Sequence, residues 1–381
     1  MPLAYAGVGY TCTELLNGLT DAGAICTLFA PRLNGPVPNR FAIRTVIPGK
    51  PFPFRLLGRP TRWVVEQAML AAIDRDGPGE AIAYVWPGAS ERLLHRLRDR
   101  RIPIVRELIN CFDGLGLGVL DAAYDRAGLP RGHRITVATV EADRRLLALA
   151  DLVFASNVAA EASLAEAGIA RSKIVPTSFG WRADGYGAVP AVRDATDEPT
   201  FLFVGDVCVR KGAHLLLDYW ARAQVKGRLV LAGRIEPALA QLCAPLLARP
   251  EVSAPGYVAD MSALYRAADV FVFPSLEEGG PQVTYEAAGC GLPLLVSPMG
   301  AGRVARDERN GLIREPYDAD GWIVTLRRLA ADVNERRRFG EAAREDAQAF
   351  TWDKVGARRH ALLSAALASR ARQGDISPAP V

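Results

Sequence analysis

Residues 275–294, SLEEGGPQVTYEAAGCGLPL, place two carboxylates, Glu278 and Glu286, on either side of seven uncharged residues. The runs VFVFP (270–274) before them and LPLLVS (292–297) at their end read as strands, because both are short, apolar and rich in β-branched or aromatic residues. Pro281 suits the first residue of a helix, where its missing N–H removes nothing from the ladder. That helix runs through QVTYEAAG and stops at Gly289–Gly291, where glycine takes the left-handed turn that ends a helix. Strand, glycine loop, helix and strand in this order are the unit of a parallel sheet covered by helices. Glu278 falls in the loop ahead of the helix N-terminus, beside backbone N–H groups that hold anions. Glu286 lies roughly 7 Å further along the axis, at 1.5 Å per residue. The spacing suits a nucleotide diphosphate-sugar, with diphosphate at the helix end, sugar hydroxyls on one carboxylate and ribose hydroxyls on the other.

The same alternation continues outward along the chain. Strands are expected at 24–30, 81–86, 103–109, 152–156, 173–178, 200–205 and 228–233, in addition to the two above. Helical patterns such as RWVVEQAMLAAIDR, SERLLHRLRDR, HLLLDYWARAQ and DMSALYRAA lie between them. This establishes α/β. A break rich in Gly, Pro, Ala and Asp over 182–199 reads as an interdomain linker. The expected organisation is a first domain over 1–181, a second over 200–350, a final helix over 351–370 packing back toward the first domain, and a disordered tail over 371–381. Two facing α/β domains would leave a cleft for ligand between them. The start is unusual, since MPLAYAGVGY reaches a glycine loop almost at once. Either the opening strand is truncated or translation begins upstream.

Bulk composition narrows the classes. A chain of 381 residues, half hydrophobic, is the size of two domains. The net charge of +4 arises within residues 1–180, where 21 Lys and Arg face 17 Asp and Glu, against 25 and 25 beyond. Such a surplus excludes a nucleic-acid binder by charge alone and is compatible with an anionic substrate or with contact to an anionic membrane surface. The basic stretches Arg55–Arg62 and Arg92–Arg101 are the candidates for that contact, with a solvated polar face as the plainer reading. Six scattered cysteines without a CxxC pair argue against disulfide and metal frameworks. No apolar run is long enough to span a bilayer and no signal peptide is expected, so the expected place is the cytoplasm or, peripherally, the inner face of the cell membrane.

The stretch PSLEEGGPQVTYEAAGCGLPLLVS resembles the E-x7-E segment of retaining GT-B glycosyltransferases, specifically the large GT4 family. FLFVGDVCVRKGAHLLLDYW resembles the family's strand, loop and helix with a Lys-Gly pair, and APGYVADMSALYRAADVFVFPS resembles the segment leading into the acids. ERNGLIREPYDADGW and, more weakly, AGVGYTCTELLNGLTDAGA extend the resemblance to most of the chain. It implies two Rossmann-like, doubly wound parallel-sheet domains facing a central cleft, and transfer of a hexose from a nucleotide-diphosphate sugar to a glycan, lipid-linked or small-molecule acceptor. It implies retention of anomeric configuration and no metal or other cofactor. Glu286 would accept the donor's ribose hydroxyls and Glu278 would hold the transferred sugar. Lys211 and Arg210 would neutralise the diphosphate as charge builds on it. Gly205, Gly279, Gly280 and the backbone amides of Gln282 and Val283 would line the donor pocket, with Gly7 and Gly9 approaching it from the first domain.

Four positions depart from the family pattern. Asp206 stands where an arginine is common, and Pro281 replaces a glycine and removes an amide donor. Phe112 occupies the place of a histidine near the acceptor, and Arg303 stands where a glutamate is common. The Asp318-Ala319-Asp320 triplet imitates a metal-binding D-x-D, yet its place before GWIVTLRRLA reads as a helix cap. A non-catalytic sugar-nucleotide-binding subunit is the alternative that Asp206 and Phe112 suggest. Hydrolysis or epimerisation of the nucleotide sugar is a third, disfavoured because His95, His133, His214 and His360 all lie outside the matched motifs.

Overall fold

A computed structural model describes residues 3–47, 58–77, 81–186, 198–258 and 260–372. The first lobe contains α1 (Val8–Asp21), β1 (Thr27–Ala30), β2 (Ala42–Thr45), α2 (Gly58–Asp76), β3 (Ala83–Val85), α3 (Glu91–Asp99), β4 (Ile104–Leu108), α4 (Asp113–Ala127), α5 (Val137–Leu149), β5 (Leu152–Ala155), α6 (Val158–Glu166) and β6 (Ile174–Pro176). Strands β3 to β6 form a parallel sheet in sequence order, and β1 pairs with β2 in a separate parallel ribbon. No strand precedes α1 among the described residues; Leu3 makes only an isolated bridge to Leu33.

The second lobe contains β7 (Thr200–Val204), α7 (Ala213–Ala223), β8 (Arg228–Ala232), α8 (Pro237–Leu242), α9 (Ala244–Leu247), β9 (Val252–Gly256), α10 (Met261–Ala267), β10 (Val270–Phe273), α11 (Gln282–Gly289), β11 (Leu294–Val296), β12 (Gly311–Ile313), α12 (Ala319–Ala331) and α13 (Val333–Ala347). Its six strands are parallel in the order β12-β11-β10-β7-β8-β9. The chain therefore runs outward from β7 to β9, returns to β10 and leaves by the other side. The carboxyl ends of β7 and β10 meet at this reversal, the place where open α/β sheets bind ligands. Both strands are almost wholly buried apolar runs, as helices on both faces require.

Helix α14 (Trp352–Arg372) crosses back and lies on α1. The two helices touch at Gly18 and Gly356, where a Cβ on Gly356 would overlap the Gly18 backbone and one on Gly18 the Trp352 carbonyl. Further along, Arg359 is 1% exposed and enters the first lobe's core to pair with Glu107 of β4, which is 0% exposed. Its guanidinium also donates to Ser156 Oγ at 3.0 Å, Thr177 Oγ1 at 3.2 Å and the Ser178 carbonyl at 3.0 Å.

All nine strands expected from sequence form, and β2, β9 and β12 join them. These three are edge strands, paired on one side only. Two are partly exposed, so the apolar pattern that marks a buried strand is weak in them. Residues 48–57 and 187–197, which hold part of the basic stretch Arg55–Arg62 and most of the expected linker, lie outside the described residues, as do 373–381 of the tail. None of the six cysteines is in a disulfide, and no helix among the described residues is long and apolar enough to cross a membrane.

Removing one member of a buried pair strands the other charge. Arg359→Ala is expected to lower stability by about 3–5 kcal/mol in urea unfolding, a loss no surface arginine would cause.

Candidate functional site at the junction of the lobes

The site begins where β7 ends. Gly205 has φ +134° and closes against β8, and the following turn, Val209–Lys211, ends at Gly212 with φ +67°. A Cβ on Gly212 would overlap the carbonyl of Pro274, so glycine lets the turn press on the end of β10. Lys211 then lies over the Phe273 ring, 5.3 Å from its centroid, with Nζ paired to Glu278. Ser275 Oγ donates to the same carboxylate oxygen at 2.9 Å, and Glu278 is 5% exposed. Burial pulls the Lys211 ammonium below its ordinary pKa while Glu278 opposes the shift. Arg210 turns to Glu277, with Nη1 at 3.4 Å from Oε2. Burial pulls its pKa down, and Glu278, Glu277 and Cys208 around it raise it above the ordinary value.

Glu286 sits on α11, one turn past Gln282, and is 8% exposed. Tyr265 donates its hydroxyl at 3.0 Å and Gln282 its side-chain amide at 2.8 Å. Burial raises the carboxyl's pKa, and the hydrogen bonds from Gln282, Tyr265 and Tyr186 hold it down in part. Gln282 Oε1 in turn accepts from Thr11 of α1 at 2.7 Å, so a first-lobe helix reaches the second acid through one side chain. The Val283 carbonyl faces the Tyr265 hydroxyl at 3.4 Å.

The glycines divide into two kinds. Gly279 and Gly280 face the first lobe, where a Cβ would overlap the Ile109 carbonyl and the Phe179 ring respectively. Gly9 is pinned against the Ala4 carbonyl, whereas Gly7, with φ +52°, has no neighbour within 4 Å of its would-be Cβ. Lys211, Arg210 and Glu278 come together as one group, and Glu286, Gln282 and Val283 as a second beside it. Several contributors carry no assigned role in the sequence, among them Glu277, Ser275, Thr11 and Tyr265. Glu277 and Ser275 lie inside the quoted stretch, so adjacency to Glu278 is a signal for them; Thr11 and Tyr265 carry none.

The departures also find places. Asp206 pairs with Arg234 at 3.4 Å, away from Arg210, which engages Glu277. Phe112 is buried in the first lobe's core under the Arg144 guanidinium. Beside it, Asp113 is raised to about 6 by burial and by Asp143. Arg303 crosses to the first lobe, paired with Glu161 and donating to the Thr177 carbonyl. Tyr124 to Glu236 at 2.8 Å and Asn157 to the Met299 carbonyl at 2.8 Å add to this seam. Asp318 caps α12 through the Gly321 N–H at 3.0 Å. Among the described residues no group of three or more His, Cys, Asp or Glu side chains could hold a metal ion.

Residues 198–332 match the family described as Glycosyl transferases group 1. The chain is 33% identical over 171 residues to a D-inositol 3-phosphate glycosyltransferase of Xylanimonas cellulosilytica, covering 42% of this chain and 41% of that one. It is 31% identical over 171 residues to an uncharacterized glycosyltransferase of Methanocaldococcus jannaschii, covering 42% and 43%. The chain thus spans about two fifths of the length of these curated relatives. Among solved structures it is similar to sucrose-phosphate synthase from Thermosynechococcus elongatus, with TM-score 0.72, 21% identity and coverage of 96% and 94%. It is also similar to Anabaena HepE in complex with UDP and glucose, with TM-score 0.68, 17% identity and coverage of 95% and 96%. The architecture is GT-B, two Rossmann-like domains.

Gly279→Ala is expected to force the loop off the Ile109 carbonyl. Thermal unfolding should show a loss of about 1–3 kcal/mol and solution scattering a larger radius of gyration. Gly118→Ala, on an exposed helix position with open space around it, should be neutral or stabilising by up to about 1 kcal/mol.

Proposed function

We propose that this chain, with a group 1 glycosyltransferase domain as its second lobe, is a retaining, metal-independent transferase. It moves a hexose from a nucleotide-diphosphate sugar to a glycan, lipid-linked or small-molecule acceptor. The observation that carries this is the buried Lys211–Glu278 pair at the topological reversal of the second sheet. On this reading the diphosphate takes over Lys211, and Glu278, released from its cation, accepts hydroxyls of the sugar. Glu286 is already polarised by Tyr265 and Gln282 and accepts the ribose hydroxyls on closing. The bond from the anomeric carbon to the diphosphate breaks with its electrons on the phosphate, where Lys211 and Arg210 lower the energy of the developing charge. The acceptor oxygen forms its bond on the same face, and its proton passes to the departing phosphate oxygen, so no enzyme nucleophile is needed.

The UDP-containing Anabaena neighbour favours a uridine nucleotide as the first donor to try. The family match lies in the second lobe, so it supports the donor half of this reading and leaves the acceptor to experiment. A first lobe facing an anionic membrane would bring a lipid-linked acceptor within reach. Self-pairing of both cradle cations with carboxylates favours one rival, a sugar-nucleotide binder without turnover.

A calorimetric panel of nucleotides and nucleotide sugars, followed by transfer assays with the best binder, tests the proposal. The wild-type chain should bind one nucleotide sugar and turn it over. Glu278→Gln keeps an oxygen for Ser275 and Lys211, so it should melt within a few degrees of wild type while transfer falls about 100-fold or more. Binding without turnover over an acceptor panel would establish the rival. Wild-type rates in Glu278→Gln would remove the central assignment.

A further inference from the structure

Glu277 is the most deeply buried of the three acids in the loop and helix, at 1% exposed. Its two carboxylate oxygens serve different lobes. Oε1 accepts the backbone N–H of Cys111, just past β4 in the first lobe, at 3.0 Å. Oε2 faces Arg210 Nη1 in the second lobe at 3.4 Å. The same nitrogen lies 3.4 Å from the Glu277 carbonyl, and the Leu276 N–H donates to the Arg210 carbonyl at 2.9 Å. Arg210 is thus held to residues 276–277 through both its backbone and its guanidinium. A carboxylate at this depth needs both oxygens met, since either one left unpaired out of water is costly. Here both are met only while the lobes are together.

We propose that Glu277 is a positioning residue that makes the placement of Arg210 depend on closure of the lobes. When the lobes part, Oε1 loses the Cys111 N–H, water reaches the carboxylate, and its hold on Arg210 falls to that of a solvent-screened pair. On closure the carboxylate is desolvated again and fixes the guanidinium, so that the cation is aimed before the leaving group develops its charge. Glu277 itself touches no substrate in this scheme. The inference rests on the proposed transfer reaction for the use made of Arg210; the coupling between Cys111 and Glu277 stands apart from it.

The test compares the full-length wild type with Glu277→Gln and Glu277→Ala in two readouts. The first is hydrogen–deuterium exchange at the Cys111 amide without ligand. The second is steady-state transfer from UDP-glucose, or from whichever nucleotide sugar the wild-type chain uses. Glutamine still offers Cys111 an acceptor oxygen but no charge to Arg210; alanine offers neither. Exchange at Cys111 should rise roughly 10-fold or more in Glu277→Ala and stay near wild type in Glu277→Gln. In transfer, both variants should lose roughly 10- to 100-fold in kcat, with the donor KM changed less than about threefold.

Unchanged exchange in Glu277→Ala overturns the coupling. Recovery of kcat by glutamine in step with exchange would make Glu277 a structural tie only. A rise in KM with intact kcat would place it in donor binding. A wild-type chain that turns over no nucleotide sugar overturns the proposed function and with it the catalytic use of Arg210, and the exchange readout then still decides whether Glu277 joins the lobes.

Discussion

A carboxylate withdrawn from water must be met by a cation or by hydrogen-bond donors, and this constraint shapes the seam between the lobes. Glu277 is met by Cys111 and Arg210, Glu161 by Arg303, and Glu236 by Tyr124. Glu286 is met by Gln282, which is itself held by Thr11. In each case the chain of partners crosses from one lobe to the other. Separating the lobes would therefore strand or hydrate several polar groups at once. Desolvation is what makes the crossing contacts specific: in a low-dielectric seam an incorrectly matched donor costs far more than it would at the surface. The relative placement of the two sheets is thereby held by a few hydrogen-bonded carboxylates together with an apolar cluster that crosses the seam, where Leu15, Tyr124, Phe179 and Trp181 join the second lobe's core.

The two places where the chain passes between lobes are coupled in the same way. Trp181, at the exit from the first lobe, accepts the Trp352 N–H at 3.3 Å and donates its own N–H to Phe350 at 3.1 Å. Trp352 Nε1 donates to the Tyr10 hydroxyl at 3.2 Å, and the Trp181 indole donates to the Ala347 carbonyl at 2.9 Å. The outgoing and returning segments thus run side by side, paired by backbone, with large aromatic rings on either side. Arg359 then anchors the returning helix inside the first lobe beneath β4, the strand that leads to Cys111. The returning helix is thereby tied to the strand whose end supplies Cys111 to the seam.

The sequence made the framework legible because the apolar pattern of buried strands survives translation into structure with little context. VFVFP and TFLFVG are strands in any parallel sheet, and Pro281 with Gly289–Gly291 brackets a helix whose observed span is Gln282–Gly289. Glu278 and Lys211 were legible for a similar reason: both sit on turns tied directly to those strands. What escaped was set by apposition of the lobes. Nothing in the sequence joins Thr11 to Gln282 or Cys111 to Glu277, which lie 271 and 166 residues apart. The same holds for the contacts of Gly279 and Gly280, which the resemblance places in the donor pocket and which the structure packs on the Ile109 carbonyl and the Phe179 ring of the other lobe. Three of the six strands paired on one side only, β2, β9 and β12, escaped for a different reason, since such a strand can be short and, as in β2 and β9, half exposed.

Asp206 is the departure that looks most damaging to an anion site, and its surroundings remove the difficulty. It is more than half exposed and faces Arg234 at the end of the neighbouring strand, so the pair is solvated and close to neutral in its effect on the interior. Inside, two cations, Lys211 and Arg210, face two carboxylates, Glu278 and Glu277. An anion entering such a balanced group gains only by exchange: it takes the cation and leaves a carboxylate behind. For the proposed donor, that exchange frees Glu278 in a site with little water, where it needs new hydrogen-bond donors. A diphosphate alone offers none, whereas a diphosphate that carries a hexose brings hydroxyl groups to the same place. On the proposed reading, the charge balance of the cradle thus suits a diphosphate that carries its own hydroxyl donors to Glu278.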